Sequence, residues 1–322
     1  MKTKMNSDRR PAHRLRTETS ARGDMPHKKR RLKYIAVLPS FITLLNGVCG
    51  FIAIVLASRS PVFRLNVFFM RRSSMTSFAM AGYMIFLAMI ADMMDGRVAR
   101  LTRTTSSFGG QLDSLSDAIS FGVAPAFLMI KLADYLMDSL HFASVRSSML
   151  LGRAIFFGGI LYAMCAVVRL ARFNVENDED EAAHMNFSGL PSPAAAGVVV
   201  SLVIFQQQIL LRGVDEASAT FHSIGLVTII ALPLITFLSG ILMVTRIRYP
   251  HAANQLFRGK KTLPVFLLIF AVCLFAIWNI QLAMVIGFCG FALFGVIRWV
   301  FLRAFKKSPP KPQAGAPAAE KG

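Results

Sequence analysis

The sequence predicts an all-α, polytopic membrane protein, and three observations lead to this fold class. Hydrophobic residues make up 54% of the 322 residues and charged residues only 16%, which is too apolar for a soluble domain of this size. The apolar residues fall into runs of about 20, the length that a helix needs to cross a bilayer. The basic residues give a formal net charge of +19 and flank these runs. This placement indicates contact with anionic membrane lipids rather than with nucleic acid.

Eight runs are long and apolar enough to be transmembrane helices. The third contains Asp117 near its start and is the least obvious. Only residues 279–281 interrupt the apolar run that makes up the seventh and eighth, so a tight hairpin is expected. The first six form a core, because the polar residues suited to chemistry all precede Pro250. The predicted spans are residues 35–57, 77–98, 114–133, 150–171, 193–211, 223–244, 263–281 and 283–303.

The distribution of Lys and Arg predicts the orientation. With a cytoplasmic N-terminus, the cytoplasmic segments hold 28 of the 36 basic residues. Both termini are therefore expected on the cytoplasmic side of a cell's inner membrane. The predicted organisation is a disordered basic tail at 1–29, a six-helix membrane domain at 30–250, a C-terminal transmembrane hairpin at 251–305 and a disordered tail at 306–322.

Four aspartates stand at the edges of the second and third spans, where charged residues are rare and usually functional. Asp92 and Asp95 are three residues apart, and Asp113 and Asp117 are four apart, so each pair shares one helix face. Two adjacent antiparallel helices joined by a short loop would direct all four carboxylates into one pocket. Because bare carboxylates repel and hard oxygen ligands suit Mg²⁺ or Mn²⁺, we expect two divalent cations there. Such a pair clamps the attacking and leaving oxygens of a phosphoryl displacement.

Small and basic residues accompany these aspartates. Gly96, Ala99 and Gly109 would let a phosphate or nucleobase approach the backbone, and Arg100 and its neighbouring arginines would neutralise phosphates. The residues alone leave two alternatives open. One is a carboxylate–arginine network that only joins two helices. The other is an ion-coupled transporter, which the position of the aspartates at a helix end disfavours.

Residues 92–117 resemble the signature of the CDP-alcohol phosphatidyltransferase family, D-x2-D-G-x2-A-R-x8-G-x3-D-x3-D, at all its fixed positions. The resemblance extends over residues 35–250. It implies a six-helix unit that cleaves a CDP-linked lipid at the pyrophosphate, releases CMP, and forms homodimers with a cytoplasmic active site. It also implies that Asp117 holds the second metal and acts as the base. The implied metal ligands are Asp92, Asp95, Asp113 and Asp117, and the implied CDP-binding residues are Gly96, Ala99, Arg100 and Gly109.

Three further stretches bear on the acceptor alcohol, namely residues 38–51, 169–174 (R-L-A-R-F-N) and 187–197. Together they resemble the membrane-embedded phosphatidylserine synthase branch of that family, although Ser40 stands where this branch usually has Asn. The branch implies CDP-diacylglycerol as donor and L-serine as acceptor. Glycerol phosphate, inositol phosphate and choline are the alternative acceptors. The candidate acceptor-binding or phosphate-binding residues are Asn46, Arg169, Arg172 and Asn174; for the two arginines, simple anchoring at the membrane surface is the alternative.

Overall fold

The computed structural model is built of α-helices, with no strand in the part of the chain that it describes. That part comprises residues 27–59, 75–102, 107–140, 145–179, 189–211, 219–245, 247 and 279–304. A π-helical segment, Ala118–Val123, joins the third helix to the fourth without a break. The helices are α1 His27–Ala57, α2 Ser77–Thr102, α3 Ser107–Asp117, α4 Ala124–Ser139, α5 Val145–Glu179, α6 Ser192–Leu211, α7 Ala219–Val244 and α8 Ile280–Ala304.

The chain is a multi-pass membrane protein, since the described residues contain seven helical stretches long and apolar enough to cross a bilayer. These stretches correspond to predicted spans one to six and eight. The third is longer than predicted, Phe108–Ser139 instead of 114–133, because helical structure begins six residues before Asp113. The predicted seventh span lies outside the described residues except at its end. Residues 1–26 and 306–322 of the predicted tails also lie outside them.

The fourth helix occupies the centre of the bundle. It contacts α1, α2, α5, α6 and α7, and the side chains of Leu128, Leu132 and Leu136 are completely buried. The outer faces of the surrounding helices carry exposed apolar side chains such as Phe157 and Val227. Exposure of this kind is expected where lipid tails, which are as apolar as leucine, surround the protein. The bundle therefore has a packed interior and a surface suited to hydrocarbon.

Helix α1 lies against both of the helices that carry the aspartates. Helix α1 packs against both α2 and α3, whereas α2 and α3 make few direct contacts with each other. Direct packing of two carboxylate-bearing faces would bury like charges against one another. Helix α1 instead brings small and polar residues, among them Thr43, Asn46 and Gly47, to these neighbours.

A proline explains the π-helical segment between α3 and α4. In an α-helix the carbonyl of Phe121 would accept a hydrogen bond from the backbone N–H of residue 125, and Pro125 has no N–H. The hydroxyl of Tyr162 on α5 donates to this carbonyl instead, at 3.0 Å. Single π turns inside α-helices occur frequently at functional sites. This one begins at the residue after Asp117.

The start of α6 is fixed to the end of α7. Gly189 has φ of +92°, a conformation that residues with a Cβ rarely adopt, and a Cβ there would also collide with the carbonyl of Met243. The N–H of Gly189 donates to the carbonyl of Ile247 at 2.9 Å, and that of Leu190 donates to Leu242 at 3.0 Å. These contacts set the position at which α6 enters the bundle beside α5.

Candidate active site

Three carboxylates converge where α2 ends and α3 begins. One oxygen from each of Asp92, Asp95 and Asp113 lies within 4.8 Å of the others. Asp117 is one turn further along α3, and its charge interacts with all three of them. The structure thus gathers the four aspartates into one cluster, with three of them at a separation from which they can share an ion.

The oxygens of this cluster fit a hard divalent cation. Asp95 Oδ2 and Asp113 Oδ1 are buried and have no hydrogen-bond partner in the described part of the chain. A buried carboxylate oxygen without a partner is unfavourable, and here the nearby groups are further carboxylates. Carboxylate oxygens are the ligands that Mg²⁺ and Mn²⁺ prefer. The three converging aspartates are therefore able to hold a metal ion.

Helix α1 holds two of the aspartates. Thr43 forms a side-chain hydrogen bond with Asp95, and the amide Nδ2 of Asn46 donates to Asp117 Oδ1 at 2.8 Å. Thr43 and Asn46 are three residues apart and so lie on one face of α1, and both are buried. From the sequence, Asn46 is an acceptor-binding candidate, whereas Thr43 was not predicted. The spacing of three residues, which places Thr43 and Asn46 on the same helix face, is the sequence signal that could have identified Thr43.

The segment that follows Asp117 is held from two sides. The hydroxyl of Ser120 donates to the backbone carbonyl of Asn46 on α1 at 2.9 Å. This approach requires a glycine at position 50, since a Cβ on Gly50 would lie 2.7 Å from the Cα of Ser120. On the opposite side, Tyr162 of α5 binds the carbonyl of Phe121. The backbone that follows Asp117 is therefore held in place by α1 and α5.

One cationic side chain, that of Arg169, interacts electrostatically with Asp117. The guanidinium of Arg169 donates from Nη1 to the hydroxyl of Ser192 at 3.0 Å, and its buried Nε has no hydrogen-bond partner among the residues that the structure describes. Arg172, three residues further along α5, is half-buried. Ser192 was not predicted, although it stands at the first position of α6, where its hydroxyl is well placed for a partner on α5.

The side chain of Asn174 is hydrogen-bonded to α3. Its Nδ2 donates to Ser114 Oγ at 2.8 Å, and the Ser114 hydroxyl lies 3.1 Å from Asn174 Oδ1. Ser114 is the residue next to Asp113. The contact gives Asn174 a part in holding α3 against α5. Its predicted role in binding the acceptor stays a prediction.

The glycines of the motif leave room beside the carboxylates. Gly96 is exposed, and a Cβ added there would meet no atom of the described residues within 4 Å. Gly109 is half-buried near the start of α3. Ala99 and Arg100 belong to the last turns of α2, and their side chains lie outside the described part of the structure. The open surface at Gly96 would admit a phosphate or a nucleobase next to Asp95.

A family model described as CDP-alcohol phosphatidyltransferase matches residues 36–235, which is more than half of the chain. The match runs from α1 into α7 and includes the aspartate cluster. The chain belongs to the CDP-alcohol phosphatidyltransferase family. The predicted family resemblance is thereby confirmed. Helix α8 lies beyond the part of the chain that the family model covers.

Relatives within this family carry closely related names. The chain is 33% identical over 231 residues to the CDP-diacylglycerol–serine O-phosphatidyltransferase of Helicobacter pylori strain J99, which covers 71% of this chain and 84% of the relative. It is 27% identical over 269 residues to the protein of the same name from Methanocaldococcus jannaschii, covering 84% and 97%. It is 31% identical over 229 residues to the archaetidylserine synthase of Methanothermobacter thermautotrophicus, covering 70% and 75%.

Proposed function

We propose that this protein transfers the phosphatidyl group of CDP-diacylglycerol to the hydroxyl of L-serine, forming phosphatidylserine and CMP. The observation that carries the proposal is the convergence of Asp92, Asp95 and Asp113 in a chain of this family. Serine is chosen as the acceptor because the Helicobacter, Methanocaldococcus and Methanothermobacter relatives are all named for serine or for a serine lipid.

We assign Asp92, Asp95 and Asp113 to a first divalent cation and Asp117, with its neighbours, to a second. The buried oxygens of Asp95 and Asp113 that lack a partner support this assignment. When bound, Mg²⁺ or Mn²⁺ neutralises the phosphate oxygens and stabilises the departing CMP. Gly96, Ala99, Arg100 and Gly109 are assigned to the CDP moiety, for which the open surface at Gly96 provides space.

Asp117 is proposed as the base. A hydroxyl is a weak nucleophile at neutral pH, so its proton has to be removed as the new bond forms. The serine oxygen attacks the phosphorus that bears the diacylglycerol, the bond from that phosphorus to the CMP oxygen breaks, and Asp117 takes the proton. Because Asn46 binds Oδ1 of Asp117, Oδ2 is the oxygen assigned to the proton. Direct attack without a covalent intermediate predicts that labelled CMP does not exchange into CDP-diacylglycerol when serine is absent.

Arg169 is the residue that we assign to the serine carboxylate. A guanidinium binds carboxylates through two parallel hydrogen bonds, and Nε of Arg169 is a buried donor without a partner in the described ranges of the chain. Ser192 holds the other side of the same guanidinium. A carboxylate bound there would bring the serine hydroxyl towards Asp117. Arg172 is assigned to a lipid phosphate at the same end of α5.

An acceptor screen combined with a metal titration tests this function. The purified full chain would receive CDP-diacylglycerol with a labelled cytidine and, in separate reactions, L-serine, glycerol phosphate, inositol phosphate or choline. We expect CMP release that requires both serine and either Mg²⁺ or Mn²⁺, with Asp113→Asn as the inactive control. Turnover with another alcohol and none with serine would reject the acceptor. Metal-independent turnover would reject the assigned metal sites, and ion-coupled uptake without CMP release would indicate a transporter.

We further propose that the protein is a homodimer in the inner membrane, with both termini and the aspartate cluster on the cytoplasmic side. The concentration of Lys and Arg in alternate segments supports this orientation. A reporter that fluoresces only in the cytoplasm, fused in turn to each terminus, would test it. Light scattering of the purified protein, corrected for detergent, would give the mass of the assembly; a monomer would reject the dimer and leave the orientation unaffected.

A further inference from the structure

Thr43 carries a buried hydroxyl beside the aspartate cluster, and the chemistry proposed above gives this residue no role. It is only 5% exposed and forms a side-chain hydrogen bond with Asp95 on α2, which is buried to the same extent. One turn further along α1 the helix lies close to α3, because a Cβ on Gly47 would be 3.2 Å from Ser116 Oγ. The packing of α1 therefore fixes the position from which Thr43 reaches Asp95.

The two oxygens of the Asp95 carboxylate have different surroundings. Oδ2 is buried and accepts no hydrogen bond from any residue that the structure describes. Oδ1 is therefore the oxygen that accepts from Thr43, and the backbone N–H of Gly96 donates to the same carboxylate. A partner behind a metal ligand fixes the orientation of that ligand. With Oδ1 held in this way, Oδ2 is the oxygen that Asp95 has left for a cation.

The number of oxygens that a carboxylate offers separates small divalent cations from large ones. Mg²⁺ requires a nearly regular octahedron of ligands at about 2.1 Å, and this suits carboxylates that each supply one oxygen. Such an ion fits between converging carboxylate oxygens, and one oxygen from each of Asp92, Asp95 and Asp113 lies within 4.8 Å of the others. Ca²⁺ bonds about 6–8 oxygens at about 2.3–2.6 Å and often takes both oxygens of one carboxylate.

We propose that Thr43 is a positioning residue, which holds one oxygen of Asp95, leaves a single oxygen for the cation and so favours Mg²⁺ or Mn²⁺ over Ca²⁺. The hydroxyl acts through Asp95 and does not touch the ion. The inference rests on the metal assignment proposed above and does not depend on the identity of the acceptor alcohol.

Titration of the full chain with Mn²⁺ in detergent tests this role without relying on turnover. Electron paramagnetic resonance measures the free Mn²⁺, and competition with Ca²⁺ gives the ratio of the two affinities. Thr43→Val keeps the size of the side chain and removes the hydroxyl. We expect its affinity for Mn²⁺ to be about tenfold lower, as is usual when a metal ligand loses such a partner. Its affinity for Ca²⁺ should stay the same or rise, because Oδ1 becomes available as a second ligand.

Two further variants make the test specific. Thr43→Ser keeps the hydroxyl and should restore both affinities. Thr228→Val removes an α7 hydroxyl that donates to the carbonyl of Ile224 on its own helix, and it should change neither affinity. The Tm of the metal-free protein reports on folding, since a purely structural role of Thr43 would lower this Tm and weaken the binding of both ions equally.

Equal weakening of both ions in Thr43→Val, or an unchanged affinity for Mn²⁺, would overturn the proposal. Absence of Mn²⁺ binding to the wild type would overturn it together with the metal assignment. If the wild type bound Mn²⁺ and showed the expected dependence on Thr43 but released no CMP with serine, the proposed acceptor alone would be rejected and the role of Thr43 would stand.

Discussion

Asn46 on α1 donates a 2.8 Å hydrogen bond to Oδ1 of Asp117, so the proposed base is held by a helix other than its own. Both side chains are buried, Asn46 completely and Asp117 to all but 8%. Hydrogen bonds to ionised groups are stronger than those between neutral groups, and a low local dielectric strengthens them further. The backbone carbonyl of Asn46 also accepts from Ser120. Helix α1 thus fixes both the side chain of Asp117 and the backbone that follows it.

Replacement of Asn46 by leucine is expected to lower kcat about tenfold to a hundredfold, because a hydrogen bond to a charged group contributes about 1.5–3 kcal/mol. The KM for CDP-diacylglycerol should change less, since the loss affects the base. Val48→Ala, at an exposed position of the same helix, is the control. Steady-state kinetics of CMP release would measure kcat and both KM values for the two variants. A raised KM for serine with kcat unchanged would instead make Asn46 an acceptor-binding residue.

Each of Asp92→Asn, Asp95→Asn and Asp113→Asn is expected to abolish CMP release through loss of metal, because an amide supplies one neutral oxygen where the carboxylate supplies charge. Binding of Mn²⁺, followed by electron paramagnetic resonance, should fall in parallel. A chelator should inactivate the wild type, and added metal should restore it. Asp138→Asn, exposed at the far end of α4, is the matched control. A wild-type rate in Asp113→Asn would show that the two-metal assignment is wrong.

Replacement of Asp117 by asparagine should separate catalysis from substrate binding. The carboxamide cannot accept the hydroxyl proton as a base, yet it keeps the size of the side chain. We expect turnover to be lost while binding of CDP-diacylglycerol, measured by calorimetry in detergent, is reduced less than in Asp113→Asn. Equal loss of binding in the two variants would make Asp117 a metal ligand without a separate role as base.

The convergence of the aspartates is predictable from the sequence because helical periodicity is local. Asp92 and Asp95 share a face on any α-helix, and so do Asp113 and Asp117. The span lengths are likewise set by a local quantity, the thickness of the bilayer. The packing of α1 against both α2 and α3 is not set by such a local quantity. Nothing in residues 92–117 indicates that α1 packs against both helices.

Contacts between distant parts of the chain are the features that the sequence alone does not specify. Pro125 signals locally that the Phe121 carbonyl loses its helical donor, but no pattern identifies Tyr162 as the replacement. Asn174 and Ser114 pair across a separation of 60 residues. Both contacts depend on where α5 packs, and this is decided by the shapes of whole helices rather than by the spacing within one of them.

Tyr162→Phe is expected to lower both stability and turnover. The substitution keeps the buried ring and removes the donor to the Phe121 carbonyl, and a buried carbonyl without a partner costs about 1–3 kcal/mol. Turnover should fall because the π-helical segment begins next to Asp117. The measurements are Tm in detergent and kcat. Tyr83→Phe is the control, since the hydroxyl of Tyr83 accepts from Gln281 on α8, outside the aspartate cluster. A lower Tm with unchanged kcat would restrict Tyr162 to a structural role.

Gly50→Ala tests the close contact between α1 and the π-helical segment. The added Cβ would lie 2.7 Å from the Cα of Ser120, so the two backbones have to separate, and overpacking of this kind costs about 1–3 kcal/mol. The separation should also lengthen the bond from Asn46 to Asp117, so kcat should fall along with Tm. Gly158→Ala is the matched control, because a Cβ there meets nothing within 4 Å, and the change should stabilise α5 by up to about 1 kcal/mol. If both alanine variants were equally stable and active, α1 would not approach Ser120 as closely as the structure has it, and the hold of α1 on Asp117 would have to be attributed to Asn46 alone.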